Sequence, residues 1–138
     1  MIRVVLDTNV VVSAILTSAG LEDRVLKLGL HGRVRMYVSA PILEEYERIL
    51  LSPRLGLRKS QVRSGLARIR DASQVVHPAR MLSECRHDED NRFLECAETA
   101  RAEFLITGNR RHYPTEWKQT AVVNARQFLD RTVAALRR

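Results

Sequence analysis

No stretch of this 138-residue chain approaches the roughly 20 consecutive apolar residues that cross a bilayer. The N-terminal apolar run carries neither a basic flank nor a small-residue cleavage site, and Asp7 interrupts it, so no secretory leader is expected. The two cysteines, Cys85 and Cys96, stand in no metal-ligand spacing and are expected as reduced thiols rather than a bridge. There is no repeat of solenoid period, no Pro/Gly/Ser linker and no low-complexity tract. A phosphate-binding P-loop is absent, and no serine or cysteine has the partner pattern of a nucleophile. The HDEDN stretch lacks the turn glycine and distal glutamate of a calcium loop. These absences leave one soluble domain spanning residues 1–138, expected in the cytoplasm.

What remains is a chain with 45% hydrophobic residues, enough to bury a core of ordinary size. Its formal net charge is +7, which favours a polyanionic partner. The acids cluster while the arginines spread.

Hydrophobic patterning alternates between short apolar runs and helical faces. Residues 2–6 (IRVVL) read as a strand, 8–18 as a helix broken at Ala19-Gly20, and a second helix reaches Leu30. VRMYVS (34–39) reads as the second strand. Ser39 then offers a capping hydroxyl with Pro41 inside the first turn. Ile42, Leu43, Tyr46, Ile49 and Leu50 share one face of the helix that follows. Further helices are expected over 59–72, 90–101 and 125–136, with strands at 74–77, 104–107 and 120–124. The alternation predicts a three-layer α/β/α sandwich around a mostly parallel sheet of about five strands. In such sheets ligands bind beyond the carboxyl ends of the strands.

Several oxygen-bearing side chains are expected at that rim. Asp7 follows the first strand, Glu45 lies early in the helix after the second, Asp90 opens the 90–101 helix, and Asn109 follows FLIT. A hard divalent cation such as Mg²⁺ or Mn²⁺ takes a few such oxygens and keeps several waters. Each residue also has a plainer role. Asp7 suits a helix N-cap. Glu45 and Glu47 flank the apolar face symmetrically, so spacing does not choose between them, and Glu44 points away. Asp90 and Asp88 complement a helix dipole.

LDTNVVVSAIL, SAPILEEYERIL, DEDNRFLECA and FLITGNRRHYP, in this order and spacing, resemble PIN-domain ribonucleases. The resemblance is to the VapC-like branch, the toxins of bacterial toxin–antitoxin pairs, and it extends to the final VVNARQFL. It implies a metal-dependent endoribonuclease that uses Mg²⁺ or Mn²⁺ to hydrolyse RNA, leaving 5′-phosphate and 3′-hydroxyl ends. By the resemblance, the catalytic and metal-binding acids fall on Asp7, Glu45 and Asp90, which separates Glu45 from Glu47. Many relatives carry a fourth acid in a T-G-D motif. This chain has Thr107-Gly108-Asn109, which keeps an oxygen at Asn109 but drops a charge and weakens a second metal site. Asn9 and Thr107 are expected to orient the ligands by hydrogen bonding. Arg110, Arg111 and His112 are placed to meet RNA phosphates or to form a solvated loop. The resemblance further implies a cognate antitoxin and a homodimer. A non-catalytic RNA-binding PIN-like module is the competing reading, favoured by Asn109. A haloacid-dehalogenase-type phosphatase also begins with Asp after strand one, but needs a second Asp where this chain has Asn9.

Overall fold

Short β-branched runs become strands wherever both of their faces can be covered. In the computed structural model, which describes residues 1–137, these are β1 (Arg3–Leu6), β2 (Arg35–Val38), β3 (Ser73–Val75), β4 (Phe104–Ile106), β5 (Glu116–Trp117) and β6 (Thr120–Val123). They form one sheet in the order β3-β2-β1-β4-β6-β5. Every pairing is parallel apart from β5 with β6. The sixth strand, two-residue β5, is too short to leave a hydrophobic period, so pattern reading passes over it.

The helices are α1 (Thr8–Leu16), α2 (Leu21–Leu30), α3 (Ala40–Leu50), α4 (Lys59–Ala72), α5 (Asp88–Ala100) and α6 (Ala125–Leu136). The crossovers from β1 to β2 and from β2 to β3 step one way along the sheet, and the crossover to β4 returns the other way. Right-handed connections therefore set α1 to α4 and α5 on opposite faces. In agreement, α5 packs against β1, β2 and β4, while α6 meets α2 and β4. The layers are helix, sheet, helix, as expected. Val4, Val5, Leu105, Ile106, Phe93 and Phe128 fill the core between them.

Local chemistry explains most boundaries. Asn124 and Gln127 form a capping box that starts α6, satisfying backbone N–H groups the helix leaves open. Gly29 lets α2 lie close to β2, because a Cβ there would meet the Met36 Sδ at 2.4 Å. Ser39 stands at the N-cap of α3, but its hydroxyl makes no capping bond. Pro41 occupies the second helical position and has no N–H to offer it. α5 begins two residues earlier than the pattern suggests, bringing Asp88, Glu89 and Asp90 into its first turn. Acids are favourable there because the N-terminal end of a helix dipole is positive.

β1 lies between β2 and β4, and the chain leaves β1 and β4 in opposite directions along the sheet. The crevice beyond their carboxyl ends is the sheet's topological switch point.

Candidate functional site

Asp7 is the first residue past β1, and its backbone N–H still joins the ladder by donating to the Ile106 carbonyl at 2.9 Å. It is only 4% exposed, and its two carboxylate oxygens do different work. Oδ1 accepts from the Thr8 N–H at 2.7 Å and caps α1. Oδ2 accepts from the Thr107 hydroxyl at 2.7 Å, the Tyr113 hydroxyl at 3.0 Å and, more weakly, Asn9 Nδ2 at 3.4 Å. The capping role is thus present and uses one oxygen; the other faces the crevice donors.

Asn9 ties the two strand ends together. Its Oδ1 accepts from the Gly108 N–H at 2.8 Å while Nδ2 reaches Asp7 and, at 3.5 Å, Thr107. Thr107 also accepts from the Asn109 N–H at 3.0 Å. Both residues therefore touch the Asp7 carboxylate directly, and Thr107 additionally pins the turn after β4.

Glu45 arrives from α3. The buried Tyr46 hydroxyl donates to the Leu6 carbonyl at 2.5 Å, docking α3 on the end of β1. Its neighbour Glu45 accepts from the Thr8 hydroxyl, which sets it beside Asp7. Glu44 and Glu47 are exposed, and Glu47 instead lines a groove with Leu43, Arg63 and Arg70. The symmetry between Glu45 and Glu47 on the helical wheel is broken by what α3 packs against.

Asp90 approaches from α5. Its Oδ1 is 3.5 Å from the Tyr113 hydroxyl. Its Oδ2 is buried and has no hydrogen-bond partner, although His112 Nδ1 lies 3.3 Å away, out of line for one. The His112 ring also packs on His87, with centroids 4.6 Å apart. Asp88 turns outward, with 80% of its side chain exposed, and pairs with Arg92 at 3.6 Å. It does not compensate for the missing fourth acid. Asn109 is exposed, as are Arg110 and Arg111 at the rim.

Burial pushes the pKa of all three carboxyl groups up. Hydrogen bonds from Thr107, Tyr113 and Thr8 oppose this at Asp7. The Thr8 bond opposes it at Glu45, where the Asp7 charge adds to it. At Asp90 the Asp7 charge again adds and His112 opposes. Burial thus makes the charged form of all three acids costly where they sit.

Among the described residues, no three His, Cys, Asp or Glu side chains form a set that could hold a metal ion as they stand. Neutral groups link the acids: Thr8 joins Asp7 through its N–H and Glu45 through its hydroxyl, and the Tyr113 hydroxyl lies between Asp7 and Asp90. The donor chemistry nonetheless suits a hard cation. All three groups offer carboxylate oxygens, and the buried Asp90 Oδ2 accepts no hydrogen bond. Tyr113 was missed by sequence reasoning, since a tyrosine six residues beyond a strand end carries no signal of facing the crevice.

Comparison with known proteins gives the frame. The PIN domain profile matches residues 3–111, which includes all three acids and stops short of Tyr113, β6 and α6. An uncharacterised protein of Methanocaldococcus jannaschii is 30% identical over 112 residues, covering 79% of this chain and 72% of its own. A chain in the crystal structure of VapBC2 from Rickettsia felis, bound to a DNA fragment from the promoter, superposes with a TM-score of 0.59. That match has 15% sequence identity and covers 89% of this chain and 98% of that one, so the arrangement of elements is shared. With the profile match spanning most of its length, the chain belongs to the PIN domain family.

Proposed function

We propose that this PIN domain is a metal-dependent endoribonuclease and the toxin of a toxin–antitoxin pair. The observation that carries the reading is that Asp7, Glu45 and Asp90 all reach the switch-point crevice, with Asp90 Oδ2 buried and accepting no hydrogen bond. Those three side chains would hold one Mg²⁺ or Mn²⁺. When bound, such an ion neutralises a phosphodiester and makes water a better nucleophile at neutral pH.

The chain's own residues do the rest. Thr107, Asn9 and the Thr8 N–H orient the Asp7 carboxylate, and the Thr8 hydroxyl orients Glu45. Arg110 and Arg111, exposed at the rim, would meet substrate phosphates, and the +7 charge draws a polyanion to the surface. Exposed Asn109 supports a one-cation site rather than a paired one. The VapBC2 likeness supports an antitoxin partner for this chain as well, and the family resemblance supports a homodimer.

Cleavage of a fluorescent RNA against rising Mn²⁺ tests the activity. Turnover is expected in the wild type and none in Asp7→Asn, with the fold intact by circular dichroism. The specific feature favouring a second reading, a non-catalytic RNA-binding module, is Asn109 in place of an acid. RNA binding without turnover at any Mn²⁺ concentration would select it.

A further inference from the structure

Tyr113 follows the 3₁₀ turn at Arg110–His112 and is 7% exposed. Its hydroxyl oxygen is 3.0 Å from Asp7 Oδ2 and 3.5 Å from Asp90 Oδ1. A phenol has a single proton to donate. The shorter contact takes it, so Asp90 Oδ1 faces an oxygen with no hydrogen directed at it. Asp90 Oδ2 has no hydrogen-bond partner either. Asp7, by contrast, receives donors from Thr8, Thr107, Asn9 and Tyr113. One acid is fully served, its neighbour is not, and the phenol stands between them.

We propose that Tyr113 is a positioning residue that sets the cation affinity of the crevice. Its hydroxyl engages Asp7 Oδ2 and would yield that oxygen to a divalent cation held by Asp7 and Asp90. The inference rests on the reading of these acids as metal ligands. Loss of the hydroxyl does not scatter them: Asp7 keeps three other donors, and Asp90 sits on the first turn of a helix. Removal of a competing hydrogen bond to a charged group therefore outweighs any loss of preorganisation. The phenol thus acts as a neutral stand-in that satisfies Asp7 Oδ2 and lowers the crevice's affinity for the ion.

Tyr113→Phe keeps the buried ring and deletes only the hydroxyl. Calorimetric titration with Mn²⁺ is expected to show roughly tenfold tighter binding than the wild type. The metal-free melting temperature should fall. A purely packing role would lower stability equally with and without Mn²⁺ and leave affinity unchanged; that result, or weaker binding, would overturn the proposal. If the wild type itself binds no Mn²⁺, the metal-ligand reading fails first and this inference with it. A second measurement needs no variant: in protein labelled with ¹³C at the tyrosine Cζ, Mg²⁺ should shift the Tyr113 resonance and leave Tyr37 in place. An unmoved Tyr113 signal at saturating Mg²⁺ would contradict the displacement.

Discussion

Replacing Asp90 by asparagine should have opposite effects on stability with and without metal. The side chain is 16% exposed, its Oδ2 is buried without a hydrogen bond, and burial followed by the Asp7 charge raises its pKa. A carboxyl whose folded-state pKa is raised favours the fold while protonated, and that contribution is lost as pH rises through the folded value. At neutral pH the Asp90 charge is therefore a cost, and Asp90→Asn removes it at nearly constant shape. A gain of about 1 kcal/mol is expected for removing one such desolvated charge, or about 4 °C in melting temperature for a domain of this size. With Mn²⁺ the order reverses. An ion at about 100 times its dissociation constant stabilises the wild type by about 2.7 kcal/mol, and the variant loses most of this. Differential scanning calorimetry at pH 7, with and without Mn²⁺, reads both halves. A variant less stable than wild type without metal, or one that gains equally from Mn²⁺, would refute the reasoning.

Four further outcomes are expected. The metal-free advantage of Asp90→Asn should be largest at pH 7, shrink as pH falls through the raised carboxyl value of Asp90, and disappear below the ordinary carboxyl value of 3.8; urea melts across that range check it. Glu45→Gln should abolish the Mn²⁺-induced rise in melting temperature while Glu47→Gln leaves it intact, since only Glu45 meets Thr8. Asn9→Ala removes the partner of the Gly108 N–H and a donor to Asp7, and should weaken Mn²⁺ binding by roughly 10- to 100-fold by calorimetry. Gly29→Ala should destabilise the fold by about 1 to 2 kcal/mol in chemical denaturation without changing Mn²⁺ affinity, because the added Cβ collides with buried Met36 and overpacking outweighs the gain in helix propensity.

The architecture was largely legible because each strand is a short apolar run between strongly periodic helices, as PILEEYERIL becoming α3 illustrates. What escaped were features with no period to read. The two residues of β5 pair only because the turn before β6 returns them. The early start of α5 follows from charge at a helix end rather than from apolar spacing. At the crevice, the sequence order placed Asp7 after β1 and Thr107 after β4, where the structure has them, but contacts there depend on packing. Glu45 was separated from Glu47 by Tyr46 docking on Leu6. Tyr113 reaches the acids only because the 3₁₀ turn folds it back over β4. Of the roles that sequence reasoning left open for Asp7, the structure shows the cap: one oxygen caps α1, while the other accepts from the crevice donors.

The central claim, that Asp7, Glu45 and Asp90 share one hard cation, is tested most directly by anomalous diffraction from crystals soaked in Mn²⁺. The account predicts a single strong peak bonded to oxygens of all three side chains, with the Tyr113 hydroxyl withdrawn from Asp7 Oδ2. No peak at Mn²⁺ concentrations that support RNA cleavage, or a peak bound elsewhere on the chain, would contradict it.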